Sequence, residues 1–168
     1  MNRTRAILFA SVLIAAVGCD HATKIAATEL LPRGGFSVAS DLLRFELAYN
    51  HGAFLGVGAN LPAIVRKLIL LGAVPLGLFA TIVWLLRAGA ASRAQLAAIA
   101  LIVGGGLGNW IDRLLHHGRV TDFVSVGVGP LRSGIFNVAD VAVVGGLLLL
   151  LIATHFAERN RDASPATG

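Results

Sequence analysis

Between Lys67 and Arg87 the chain runs for 19 residues, Leu68 to Leu86, without a charged side chain. A helix needs about 20 mostly apolar residues to cross a bilayer, and a segment in hydrocarbon must satisfy its own backbone hydrogen bonds, so such a run folds as a helix. Two further runs have the same character: Ala94 to Ile111, 18 residues, ends at Asp112, and Val141 to Ala157, 17 residues, lies between Asp140 and Glu158. A fourth, Ala6 to Cys19, has only 14 residues. It reaches crossing length if the helix continues past Asp20, which sets that carboxylate at the membrane edge.

Composition agrees. Of the 168 residues 56% are hydrophobic and 14% charged, where a soluble domain carries about 25% charged residues. That excludes an ordinary soluble enzyme, a disordered tail and a disulfide-stapled secreted domain; the single cysteine forms no intrachain bridge. The net charge of +5 comes from scattered basic residues with no nucleic-acid motif among them, so no nucleic-acid partner is expected. Arginines flanking membrane spans account for it.

The expected fold class is an all-α membrane protein of four transmembrane helices, at about residues 6–23, 68–86, 94–111 and 140–157, forming one polytopic domain over residues 1–157. Residues 158–168 read as a polar, disordered cytoplasmic tail. Between the first two spans, residues Phe36 to Tyr49 alternate apolar and polar positions (Leu43, Phe45, Leu47, Tyr49), which predicts a small strand-containing element. Between the last two, Gly127, Gly129, Pro130 and Gly134 mark turns.

Four spans make the chain alternate sides, so the loop after span one and the loop between spans three and four share a side. Seven of the nine acids fall there: Asp20, Glu29, Asp41, Glu46, Asp112, Asp122 and Asp140. Arg3, Arg5, Arg87, Arg93, Arg159 and Arg161 lie opposite. A plain count of basic residues, six against eight, does not set the orientation. Their density in the shorter segments places the arginine side and both termini in the cytoplasm, with the acids outside.

Ionisable groups at a membrane boundary are costly to desolvate and signal function. Glu29, Asp41 and Glu46 read as ordinary loop acids. Asp122 lies in Val120-Thr121-Asp122-Phe123, where the chain returns to the membrane, and Asp140 opens the fourth span in Phe136-Asn137-Val138-Ala139-Asp140. A helix cap explains Asn137 or Asp140 but does not need both. Two carboxyls held close share one proton; one then acts as general base on water while the other, protonated, polarises a carbonyl. This chemistry needs no metal and no cofactor, and none is expected. Asn109 and Arg113 share a helical face and are balanced between a structural network and substrate contact, whereas Asp112 reads as structural. The Gly104-Gly105-Gly106-Leu107-Gly108 run lacks the Lys-Ser/Thr of a phosphate loop and fits close helix packing. His116 and His117 have no spaced partners for a metal site.

Five segments in order, Asp20-His21-Ala22-Thr23-Lys24, Asn50-His51-Gly52-Ala53-Phe54, Gly108-Asn109-Trp110-Ile111-Asp112-Arg113, Gly118-Arg119-Val120-Thr121-Asp122-Phe123 and Phe136-Asn137-Val138-Ala139-Asp140, together resemble the motif set of bacterial lipoprotein signal peptidase (signal peptidase II). The likeness runs from about Asp20 to Gly146. It implies an aspartic endopeptidase of the bacterial inner membrane with a small strand-containing cradle outside the membrane, between helices 1 and 2. The implied substrate is a diacylglyceryl-modified prolipoprotein, cut just before the lipidated cysteine in contact with membrane lipid, and the implied inhibitors are globomycin-type cyclic peptides. The implied catalytic pair is Asp122 and Asp140, supported by Asp20, Asn50, Gly52, Asn109, Arg113 and Asn137. Three departures stand out: His21 where glutamine is commoner, Phe54 where a small residue is commoner, and one extra residue between Asp112 and Asp122.

Two other readings compete. Arg3 and Arg5 ahead of Ala16-Val17-Gly18-Cys19 resemble a cleavable signal peptide, but cleavage there would remove the helix that continues into Asp20. A small transporter would carry its acids near the bilayer midplane, whereas these lie at one rim. A non-catalytic scaffold would not need to retain both Asp122 and Asp140.

Overall fold

The computed structural model describes residues 2–31, 34–88 and 92–162. The Asn2 side chain accepts from Arg5 N at 3.0 Å and starts α1, Arg3–Leu30. At 1.5 Å per residue its 28 residues span about 42 Å, so the helix passes through Asp20 and ends a full turn beyond Lys24. Among the described residues, four helices are long and apolar enough to cross a membrane: Arg3–Leu30, Ala63–Leu85, Arg93–Leu115 and Val138–Arg159. The chain is a mostly helical membrane protein with a small antiparallel sheet.

The second span is a continuous rod of three pieces: α2, Ala63–Lys67, a π-helical stretch, Leu68–Ala73, and α3, Val74–Ala88. Pro75 explains the irregularity. It has no N–H for the carbonyl four residues back, Leu71, and its ring crowds that carbonyl. In hydrocarbon the freed oxygen needs a donor, and the Trp110 indole of α4 supplies one at 3.3 Å.

Helix α4, Arg93–Leu115, starts at a reciprocal Ser92–Gln95 capping box and packs against α1, α3 and α5. Its glycine run makes this possible. A Cβ at Gly104 would lie 2.8 Å from Ala16 Cβ of α1, at Gly105 2.4 Å from the Ala139 carbonyl of α5, and at Gly106 2.8 Å from Leu78 of α3. Gly104 and Gly105 thus bring α1 and α5 to backbone distance of α4, and Gly106 makes room for the Leu78 side chain of α3, the close packing expected from the sequence. Leu85, Leu96, Ile99 and Val103 form the buried core of the bundle.

Helix α5, Val138–Asp162, continues past Glu158, where the sequence predicts the tail to begin. Glu158 to Asp162 contain no glycine or proline, and the first proline is Pro165, so nothing stops the helix where it turns polar. Residues 163–168 lie outside the described residues.

The strand-containing element differs from expectation in one respect. Strands β1, Phe36–Val38, and β2, Leu43–Asn50, come from the first loop as predicted. They are joined by β3, Val120–Val128, and β4, Leu131–Arg132, from the loop between α4 and α5, giving one sheet in the order β1-β2-β3-β4. The sheet is therefore not built between helices 1 and 2 alone. Val124, Val126 and Val128 alternate with Ser125 and Gly127, a period-two signal hidden by the turn residues after it. Phe123 seats the sheet on Ala27 and Leu31 at the end of α1.

Candidate active site

The pairing of β2 with β3 places Asp122. Phe45 faces Val124 and Ala48 faces Asp122, so β2 carries one extra residue between them. Such a bulge shifts every later side chain to the other face. Asn50, five residues after Phe45, is thereby turned onto the Asp122 face, diagonal to it across the strands. Its Nδ2 donates to Asp122 Oδ2 at 3.0 Å, and its Oδ1 accepts from Gly52 N at 2.8 Å. The turn that follows is tight: a Cβ on Gly52 would lie 2.6 Å from the Val57 carbonyl. Arg113 holds the same turn, donating to the Gly52 carbonyl at 2.6 Å and to the Asn109 carbonyl at 3.0 Å.

Asp140 is positioned by the start of α5. The Asn137 Oδ1 accepts from Asp140 N at 3.0 Å, while Asp140 Oδ2 accepts from Asn137 N at 3.2 Å. The cap uses both residues, each serving the other, where the sequence argument required only one. The cap still leaves Asp140 Oδ1, which accepts from Asn109 Nδ2 at 2.9 Å. Asn137 also joins the two carboxylates: its Nδ2 donates to Asp122 Oδ1 at 2.6 Å and to Asn109 Oδ1 at 3.1 Å.

Around this pair lies a buried ionic cluster. Asp20 is fully buried; its Oδ1 accepts from Ala139 N at 2.9 Å, so α1 supplies a second cap to α5. Its Oδ2 pairs with Lys24 Nζ at 2.7 Å, and the same ammonium reaches Asn109 Oδ1 at 2.9 Å and Asp112 Oδ2 at 3.3 Å. Asp112 Oδ2 also accepts from Thr121 N at 2.7 Å, fixing the residue before Asp122. The structural reading of Asp112 stands. Lys24 was absent from the residues singled out by sequence, although its spacing of four from Asp20 in an apolar helix is a usable signal.

Asp122 is fully buried, and that burial pushes its carboxyl up to about 6. The nearby Asp140 charge adds to the rise, while the Asn50 and Asn137 amides oppose it. An apolar groove of about 360 Å³ begins at Asp140 and follows α5 past Val141, Val144 and Leu148, and Phe54 and Phe136 also line it. Phe54, one of the three departures, therefore faces the site. His21, another, has Nδ1 3.7 Å from Asp20 Oδ2, beyond hydrogen-bond reach. Among the described residues no three His, Cys, Asp or Glu side chains converge in a metal-ligand arrangement.

Asp20, Asn50, Asn109, Asn137, Asp122 and Asp140 thus meet in one network at the end of the bundle shared by the sheet, with Gly52 and Arg113 bracing its edge. Fold and site define a multi-pass membrane protein built around a buried, amide-bridged carboxylate pair. Comparison with known proteins narrows the class. The family described as Signal peptidase (SPase) II matches residues 12–156, and the chain belongs to that family. The lipoprotein signal peptidase of Treponema pallidum (strain Nichols) is 35% identical over 166 residues, covering 95% of this chain and 88% of that protein. The lipoprotein signal peptidase of Methylobacterium sp. (strain 4-46) is 34% identical, covering 94% of each. A bacterial membrane enzyme solved by the in meso method at 2.3 Å resolution superposes with a TM-score of 0.75 at 27% identity, covering 98% of this chain and 94% of that one.

Proposed function

We propose that this chain is an aspartic endopeptidase that removes the signal peptide from diacylglyceryl-modified prolipoproteins, cutting just before the lipidated cysteine. The observation that carries the aspartic assignment is the Asn137 bridge: one residue donates through its side chain to Asp122 and through its main chain to Asp140. The two carboxyls titrate as a pair. With one proton between them, the ionised member takes a proton from water, whose oxygen attacks the scissile carbonyl carbon while the protonated member donates a hydrogen bond to the carbonyl oxygen. Collapse of the tetrahedral species breaks the C–N bond, and a carboxyl proton goes to the leaving nitrogen. Asn50, Asn109 and Asn137 hold the pair; Asp20 holds α5; Arg113 and Gly52 hold the turn beside it.

The groove along α5 suits an apolar signal segment or acyl chain entering from membrane lipid, with its reactive peptide bond at Asp140. A globomycin-type cyclic peptide would compete for that position. Orientation follows from charge: the end bearing Arg3, Arg5, Arg87, Arg93 and Arg159 faces the cytoplasm of a bacterial inner membrane, and the sheet and carboxylate pair face the periplasm.

Incubation of the purified protein with a diacylglyceryl-modified prolipoprotein should release the signal peptide, resolved on a gel. Asp122→Asn and Asp140→Asn should each lower the rate by about 10³-fold or more. Full activity in either variant would remove that residue from the catalytic pair. An inactive parent protein, tested across several precursors, would overturn the peptidase reading in favour of transport or scaffolding.

A further inference from the structure

At the same end of the bundle a second cavity of about 40 Å³ opens between the start of α2 and the end of α4. Its wall includes His51, Arg66, Lys67, Arg113 and His117, and none of the residues lining it is acidic. None of Arg66, Lys67 and Arg113 is ion-paired with a described carboxylate. Arg113 is buried, its two terminal nitrogens are used on carbonyls, and its Nε has no hydrogen-bond partner. Arg66 gives one terminal nitrogen to the Ala59 and Leu61 carbonyls. The Asp112, Asp122 and Asp140 charges act on Arg113, but Arg66 and Lys67 beside it have no ion-pair partner among the described residues and repel it, and a buried guanidinium N–H left unpaired is costly. Both costs are relieved by an oxyanion in the cavity.

Size and position select the anion. At about 10–15 Å³ per oxygen, the cavity holds the oxygens of one phosphate and no acyl chain. Its residues stand where two spans leave the membrane, Ala63 at the start of one and Arg113 near the end of another. Ile64 and Leu68, on the adjoining face of the same rod, are each 65% exposed, an apolar track beside the basic cavity. We propose that this cavity is a binding site for the phosphate of an anionic membrane phospholipid, whose acyl chains run along Ile64 and Leu68. Lys67 and His117 grip it from the water side and Arg113 from within, as basic pockets between membrane helices hold lipid headgroups. The site is separate from the groove along α5, and its existence does not depend on the peptidase reading.

Trp110 reports on it, because its indole bonds the carbonyl of Leu71, which lines the cavity. In a Trp84→Phe background Trp110 is the remaining tryptophan. The full chain in maltoside micelles is titrated with dioctanoyl-phosphatidylglycerol, dioctanoylglycerol and inorganic phosphate while Trp110 emission is followed. A saturable change with phosphatidylglycerol alone is expected. Lys67→Gln with His117→Gln should weaken it about tenfold or more, and Lys67→Arg should retain it. No saturable change, an equal response to dioctanoylglycerol, or undiminished affinity in the double variant would each overturn the site. An equal response to inorganic phosphate would overturn the lipid as its source. No step measures cleavage, so the result stands apart from the peptidase assay.

Discussion

Lys24 Nζ lies 2.9 Å from Asn109 Oδ1, across 85 residues of sequence. An ammonium only donates, so it forces the Asn109 oxygen inward and turns the Asn109 N–H toward Asp140. The lysine thereby sets the polarity of the network without touching either proposed catalytic carboxylate. It also compensates two buried acids. Lys24→Met should lower stability by about 3–5 kcal/mol, the cost of leaving a buried charge unpaired. Thermal unfolding in detergent measures it. Adding Asp20→Asn and Asp112→Asn should recover part of the loss, and a single variant as stable as the parent would contradict the compensating role.

The glycine run can be tested by contrast. A Cβ on Gly105 would lie 2.4 Å from the Ala139 carbonyl, one residue before Asp140, whereas one on Gly145 would meet nothing within 4 Å. Gly105→Ala should cost about 1–3 kcal/mol through overpacking and reduce cleavage by displacing α5. Gly145→Ala should be neutral or stabilising by about 0.5–1 kcal/mol. Equal melting temperatures for the two variants would count against the packing described.

Asp122 makes stability depend on pH with a defined sign. Its carboxyl is raised from the ordinary 3.8 to about 6, so between those values the folded chain binds the proton more tightly than the unfolded chain. Its contribution is present in full below about pH 4 and is lost as pH rises to about 6. The melting temperature of Asp122→Asn relative to the parent should therefore rise across that window. Parallel pH profiles would show that the carboxyl is not shifted.

The π-helical stretch predicts a coupling. Trp110→Phe removes the donor to the Leu71 carbonyl and should cost about 1 kcal/mol. In a Pro75→Ala background, where residue 75 regains its N–H, the same substitution should cost less. A double-mutant cycle in thermal unfolding gives the difference, and strict additivity would sever the link between Pro75 and the tryptophan.

Much of the site was legible because its residues are exceptional where they stand. Asp140 after a polar turn and before 17 uncharged residues, or Asn109 four before Arg113 in an apolar helix, are costly placements that ask for a reason. Asn50 shows the limit. Alternation from Phe45 turns it away from the Phe45 face, and only the bulge, a property of β2 paired with β3, brings it to Asp122. Lys24 was overlooked because a lysine near a helix end ordinarily snorkels to water; here α4 and α5 close over it.

The sequence by itself determined four apolar helices, the sharing of one end by seven of nine acids, and a strand-forming segment before Asn50. It could do so because a charge in hydrocarbon is prohibitive and because spans alternate sides. Tertiary structure alone decided that Asn137 bridges Asp122 and Asp140, that Asp20 caps a helix 119 residues away, and that two loops build one sheet. Those contacts depend on how closely the helices approach, which the backbone packing at Gly104 and Gly105 sets, with Gly106 admitting the Leu78 side chain.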